Sequence, residues 1–333
     1  MSTLGRLVFA FACAATVVCF PRGAAVAADN YPTRPIRLVV PLAAGGAIDV
    51  FARVLGKELE TSLGQPVLIE NRPGANTIIA ANACKNAAPD GYTICLLTRS
   101  TISINPELYR KLSYGLKDFE PITNLFFGQQ VIILSNSVPV KNFAELVTHS
   151  KAHPNKLNYG SFGIGGDSHL LVEWLKHTTG ADLTHVPYRG AAPALLAFKS
   201  GDVQILTLLV GNPDIVRQIR DHEVKGLLTP GAKRFPLIPD VPTFAEAGLS
   251  SDEKAYSPWF GMFAPAGTPR DIVAKLNKEI ARVVKQKDFQ DHNMTPLAFL
   301  PVADTPEHFA EFLKNDNKVA AELVRISGVK LDE

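Results

Sequence analysis

From Pro35 onward the chain switches repeatedly between two hydrophobic periods. Short runs rich in β-branched and aliphatic residues at 36–40, 67–69, 93–97, 131–134, 157–159, 185–187 and 203–206 predict strands. Between them, apolar residues recur at helical spacing. Val50, Val54, Leu55 and Leu59 do so within 49–63, and 78–87, 143–153, 168–179 and 193–200 read the same way. Strand and helix in alternation predict an α/β fold with parallel-rich sheets flanked by helices. Proline and glycine mark the turns, as in Asn71-Arg72-Pro73-Gly74, Pro89-Asp90-Gly91 and Gly211-Asn212-Pro213. No Ser/Gly linker separates two domains. Two lobes would therefore be joined by ordinary strands, with crossings expected near Phe126 and near Ser257.

The N-terminus breaks this pattern. Arg6 precedes an almost unbroken apolar run over 7–20, followed by Ala24-Ala25-Val26-Ala27-Ala28. The run is short for a membrane span and ends in small residues, so residues 1–28 are expected to be a cleaved signal peptide. An uncleaved anchor is the alternative. Cys13 and Cys19 lack the context of a lipoprotein. Cleavage removes Arg6 and Arg22 and no acid, which takes the formal net charge from +2 to zero. A balanced mature chain argues against nucleic acid or an anionic membrane as partner, since both need a basic face. Export also puts Cys84 and Cys95 in a compartment where a disulfide can form. Two separately buried thiols stay open, because one lies in a helical stretch and the other in a strand.

Candidate chemistry lies in two glycine-rich loops, each between a strand and a helix. The first is 41–49, with Ala43, Ala44, Gly45, Gly46 and Asp49. The second is 160–169, with Ser161, Gly163, Gly165, Asp167 and His169. Each puts unpaired backbone N–H groups at a helix N-terminus, which suits a carboxylate or a phosphate. Asp49 and Ser168 are residue types that cap helices. Gly163-x-Gly165 lacks the third glycine of a dinucleotide fingerprint, since Ser168 stands there, and no P-loop is present. Ser161 has no nucleophile elbow around it, and His169 is its one conceivable base nearby in the chain. His149 and His153 fall at i, i+4 without a glutamate between them, which favours a solvated surface over a metal site. No cofactor, metal or catalytic group is expected.

Together these stretches resemble the receptors of tripartite tricarboxylate transporters, the Bug-type periplasmic solute-binding proteins. The likeness runs through 31–41, Ala44-Gly45-Gly46-Ala47-Ile48-Asp49 with Arg53, Glu70-Asn71-Arg72-Pro73-Gly74-Ala75 and Ala88-Pro89-Asp90-Gly91-Tyr92-Thr93. It continues through Tyr159-Gly160-Ser161, His169-Leu170, His185-Val186-Pro187-Tyr188-Arg189-Gly190 and Pro239-Asp240-Val241-Pro242-Thr243, and ends with Trp259-Phe260-Gly261 and Ala264-Pro265-Ala266-Gly267-Thr268-Pro269. It covers essentially the whole chain after residue 28.

The resemblance implies a two-lobed type II periplasmic binding protein, a Venus flytrap. Lobe 1 is expected over 29–125 and 258–333, and lobe 2 over 126–257. It also implies a monomeric periplasmic receptor, not an enzyme, that closes on a small carboxylate and hands it to the permease subunits of a tripartite transporter. A ligand-sensing receptor that signals through a membrane partner is the alternative, and a periplasmic hydrolase a more distant one. The ligand clamp carries over to Ala43, Ala44, Gly45, Gly46, Asp49, Ser161, Gly163, Gly165 and His169, and Asp167 and Tyr188 join them as candidates. Departures from the family's pattern are Ile48, Gly166, Asn76-Thr77-Ile78, the uncharged run Leu206-Thr207-Leu208-Leu209, and Arg99 where a small hydroxyl residue is usual. The far end of the pocket is therefore expected to differ.

Overall fold

The structure, a computed structural model, describes residues 30–231, 233–249 and 256–332. The expected signal segment lies outside them. Among the described residues eleven strands form two sheets. In chain order they are β1 (Ile36–Val40), β2 (Val67–Asn71), β3 (Thr93–Thr98), β4 (Phe119–Gly128), β5 (Gln130–Leu134), β6 (Asn158–Ser161), β7 (Thr184–Pro187), β8 (Ile205–Leu209), β9 (Lys225–Leu228), β10 (Trp259–Pro265) and β11 (Phe299–Pro301). One sheet has the order β11-β4-β10-β3-β1-β2, the other β7-β6-β8-β5-β9. The strands of the strand–helix units pair in parallel, β1 with β2 and β3, and β6 with β7 and β8. The strands near the sheet change pair antiparallel, β10 with β3 and β4, and β5 with β8 and β9. Gln129 alone separates β4 from β5, so the chain changes sheets without a loop. This is a two-lobed α/β fold with a mixed sheet in each lobe.

Each glycine loop is followed by a helix anchored in its own core. In helix Ala47–Leu63 the buried Ile48, Phe51, Ala52, Leu55 and Leu59 share one face. Phe51 meets Phe126 and Phe299 edge-on, with ring centroids 4.7 and 5.9 Å away. Burying such a ring contributes about 2–3 kcal/mol. Gly64 ends the helix in the left-handed region at φ 69°. In helix Asp167–Thr179, Leu170, Leu171, Trp174 and Leu175 are buried in a second core. Trp174 lies 5.7 Å from Phe244 and 4.2 Å from Tyr256. Ile104 and Leu108, which follow β3, and Ala320, Leu323 and Val324 of the final helix Pro306–Ser327 also enter that second core. The floor between the sheets is thus packed on one side.

Two expectations change. Gly46 and Gly166, not Asp49 and Ser168, occupy the N-cap positions, and both acids of the loops, Asp49 and Asp167, fall in the first helical turn. Cys84 and Cys95 form a disulfide that ties helix Ile78–Lys85 to β3, which closes the alternative of two free thiols. The register places the two Cα atoms 6.1 Å apart, within ordinary bridging range. Pro121 sits inside β4, a strand that is not among those predicted from the sequence. It faces Phe263 next to a register shift, a place where a missing N–H is tolerated. No helix among the described residues is long and apolar enough to cross a membrane.

Candidate ligand-binding cleft

The two loops are built alike. Gly45 and Gly165 have φ of +83° and +76°, conformations that disfavour a side chain. The next glycines, Gly46 and Gly166, are extended N-caps with φ/ψ of −80°/167° and −71°/164°. In both loops the αL glycine donates its N–H to a side chain four residues on. Gly45 N donates to Asp49 Oδ2 at 2.8 Å, and Gly165 N donates to His169 Nδ1 at 3.0 Å. The first helical bonds follow, Val50 N to Gly46 O and Leu170 N to Gly166 O, both 3.0 Å. Helix geometry leaves the three preceding N–H groups of each helix without an intrahelical acceptor. Each lobe therefore presents one helix start with its partial positive charge.

The side chains behind the loops differ. Asp49 is buried and accepts from Arg53 Nε at 3.0 Å and Asn71 Nδ2 at 2.9 Å as well as from Gly45. The Arg53 bond is the main reason its carboxyl is held down to about 2. Asn71 Nδ2 also reaches Leu42 O at 3.0 Å, so this cluster stitches the first loop to the end of β2. The Asp49 carboxylate is thus turned onto Gly45, Arg53 and Asn71 and braces the loop.

Behind the second loop stands a stack of rings. His169 lies 3.9 Å from His185, centroid to centroid, and His185 lies 4.9 Å from Tyr159. Ser161 is wholly buried. Its Oγ is 2.6 Å from His185 Nε2 and also bonds Gly163 O at 3.1 Å and Gly163 N at 3.3 Å. Burial pushes His185 down to about 4, helped by the neighbouring His169, and burial lowers His169 too. The imidazole Nδ1 of His169 must be unprotonated to accept from Gly165, so the loop geometry itself selects that tautomer.

A cavity of about 200 Å³ lies between the loops, lined from both lobes. Leu42 of the first loop and Phe162, Gly166, Asp167 and Ser168 of the second border it, with Phe260, Pro258 and Leu209 as apolar wall. Asn76, Thr77, Thr98, Ser100 and Gln130 add polar groups. Ala75, Asn76 and Thr77 all have positive φ, at 44°, 47° and 71°. Such a run without glycine is strained. A buried network holds it: Asn76 and Asn105 exchange two 2.8 Å hydrogen bonds, and Thr77 meets Thr101 at 2.7 Å.

Arg99 is buried under this cavity. It pairs with Asp316 at 2.9 Å, and Trp259 Nε1 donates to the same carboxylate at 2.7 Å. Arg99 Nη1 is 4.0 Å from Asp167 Oδ1, and Ser100 donates to Asp167 Oδ2 at 2.9 Å. Burial raises the Asp167 carboxyl above its ordinary range, while Arg99 and Ser100 oppose the shift.

Of the residues singled out from the sequence, Asp167 lines the cavity itself. Ala43, Ala44, Gly45 and Gly46 are exposed, but of their loop Leu42 is the residue that lines the cavity, and Gly163 and Gly165 belong to the other loop without lining it. Asp49, Ser161 and His169 are buried behind their loops and support them. Tyr188 packs against the Val131, Ile133 and Leu206 core, away from the cavity lining. Sequence reasoning missed His185, Asn105, Gln130 and Asp316. His185 carried a signal, since Tyr159 and Ser161 share a strand face and a neighbouring parallel strand can bring a ring against both. Among the described residues no three His, Cys, Asp or Glu are grouped to hold a metal, and His149 and His153 stack at the surface 4.3 Å apart.

Comparison with known proteins matches this architecture along nearly its whole length. The family model described as "Tripartite tricarboxylate transporter family receptor" matches residues 51–328. Protein BugT of Bordetella pertussis is 33% identical over 310 residues, covering 92% of this chain and 94% of BugT. Among solved structures, R. palustris Rpa4515 with adipate superposes with a TM-score of 0.80 at 29% identity, covering 90% of this chain and 99% of that one. MatC from Rhodopseudomonas palustris with bound malate gives 0.75 at 32% identity, over 88% and 100%.

Proposed function

We propose that this chain, which belongs to the tripartite tricarboxylate transporter receptor family, is a periplasmic receptor that closes its two lobes around one small carboxylate and delivers it to permease subunits of a tripartite transporter. The observation that carries this reading is the pair of like-built helix starts, one in each lobe, with a cavity lined by Leu42 of the first loop and by Gly166, Asp167 and Ser168 of the second. A carboxylate between them gains donors from both lobes at once, and so holds the lobes together. No arginine or lysine lines the cavity, so recognition rests on main-chain N–H groups and hydroxyls. Two relatives solved with adipate and malate support a small acid as the ligand class.

The Ser161–His185 contact does not favour a hydrolase. A nucleophile must reach substrate, and Ser161 is wholly buried. An imidazole pushed down to about 4 is also a weak base at neutral pH. The contact instead pins the turn at Gly163. A thermal-shift screen of small mono-, di- and tricarboxylates, followed by X-ray scattering, tests the proposal. At a hundredfold excess over Kd the right acid adds about 2.7 kcal/mol to stability, and the radius of gyration falls. Tight binding without compaction would remove the closing receptor, and silence toward every acid would remove the carboxylate.

A further inference from the structure

We propose that Asp167 sets the charge class of the ligand, so that this cavity selects a carboxylate that also carries an ammonium group and an apolar body, and rejects dicarboxylates. The inference rests on the carboxylate-receptor reading above and goes beyond it.

The argument is one of charge balance. Asp167 is the one charged side chain that lines the cavity, and it keeps 16% of its surface exposed there. Its natural counter-ion is already taken. Arg99 is 2.9 Å from Asp316, and the Asp316 carboxylate is completed by the Trp259 indole. From Arg99, Asp167 Oδ1 stands 4.0 Å off and has no hydrogen-bond partner among the described residues. Around Asp167 the charged groups are therefore one guanidinium and one further carboxylate, which leaves a net negative centre beneath the cavity. The nearby Gln130 amide oxygen is likewise buried without a partner. Burial without a full counter-charge is what raises the Asp167 carboxyl.

A second ligand carboxylate brought next to Asp167 meets like charge in a poorly solvated place, and either repels it or forces a proton onto it. An ammonium group supplies the missing cation and offers donors to acceptors that lack them. Leu42, Phe162, Leu209 and Phe260 leave the rest of the wall apolar. A zwitterion such as leucine or phenylalanine matches all three features, and adipate and malate do not. If Asp167 served only to stabilise its helix start, its loss would lower stability and leave selectivity unchanged.

The test is titration calorimetry on the chain from Asp29 onward, with leucine, phenylalanine, their deaminated analogues 4-methylpentanoate and 3-phenylpropanoate, adipate and malate. Parent, Asp167→Asn and Asp167→Ser are compared after thermal melts show that they fold. The parent should prefer an amino acid over its deaminated analogue by at least about tenfold. That ratio should collapse toward one in both variants, with dicarboxylate affinity rising. Any dicarboxylate binding to the parent should take up a proton, seen as a dependence of the heat on buffer ionisation. Unchanged ratios in the variants, or tighter binding of adipate or malate than of every amino acid by the parent, overturn the inference while leaving the receptor intact. Failure of every acid to bind the parent removes the receptor reading and this one together.

Discussion

The first and second glycine loops share a backbone and differ in what stands behind it. Each has an αL glycine, an extended N-cap glycine and an acceptor side chain four residues later. Behind Gly45 the acceptor is an ionised carboxylate braced by Arg53 and Asn71. Behind Gly165 it is a neutral imidazole stacked on a second one. The first loop is exposed, whereas the second is packed against Leu108. The difference teaches that the geometry needed to present helix N–H groups can be held by charge in one lobe and by buried packing in the other.

The largest expected contrast is steric. A Cβ on Gly165 would stand 2.1 Å from Leu108 Cδ2, while one on Gly45 meets nothing within 4 Å. Gly165→Val should cost about 3–5 kcal/mol, from overpacking plus the left-handed backbone, and Gly45→Val about 1–2 kcal/mol from the backbone alone. Urea unfolding of the two variants checks this, and equal losses would erase the distinction. Next comes the acceptor itself. Asp49→Ala removes the carboxylate that accepts from Gly45 N and Asn71 Nδ2, while Asn71 keeps its bond to Leu42 O, at about 1.5–3 kcal/mol. His169→Ala strands one N–H and loses a ring stack, at about 1–2 kcal/mol by the same measurement.

Acid should separate the loops as well. His185 falls from an ordinary 6.5 to about 4 in the folded protein. The unfolded chain therefore binds that proton first, and the second loop loses stability as pH falls from about 6.5 toward 4. Asp49 is depressed from 3.8 to about 2, so its support is complete above pH 3.8 and is lost as pH falls through about 2. Hydrogen exchange at pH 7 and pH 5 should show faster opening of 160–170 at the lower pH and no change in 41–50. The smallest effect belongs to Ser161→Ala. Because its hydroxyl is turned to His185 and Gly163, stability should drop by about 1 kcal/mol and ligand affinity by less than about threefold. A tenfold loss of affinity with unchanged stability would put Ser161 against the ligand.

The loops themselves were legible because glycine, helix start and strand end are local features. So were the helices that carry them, since Phe51, Leu55 and Leu59 mark one face within a single element. Side-chain destinations were not legible. Asp49 and Asp167 look equivalent in the sequence. One turns back onto its own loop, and the other meets Ser100 and Arg99, 67 and 68 positions away in the chain. The Ser161–His185 contact depends on the parallel register of β6 and β7, and the Asn76–Asn105 pair on how two turns pack. The Cys84–Cys95 disulfide likewise depends on how a helix lies over β3. The strand through Pro121 was not predicted, and it is tolerated there because Pro121 lies next to a register shift.

The central claim is that one acid is held by main-chain donors of both lobes at once. A crystal structure of the chain from Asp29 onward with its bound acid tests it most directly. The account predicts carboxylate oxygens within about 2.7–3.2 Å of backbone nitrogens at both helix starts, near Ala47 and Ile48 on one side and near Asp167 and Ser168 on the other. An acid held by one lobe alone, or lodged outside the cavity between the loops, would contradict it.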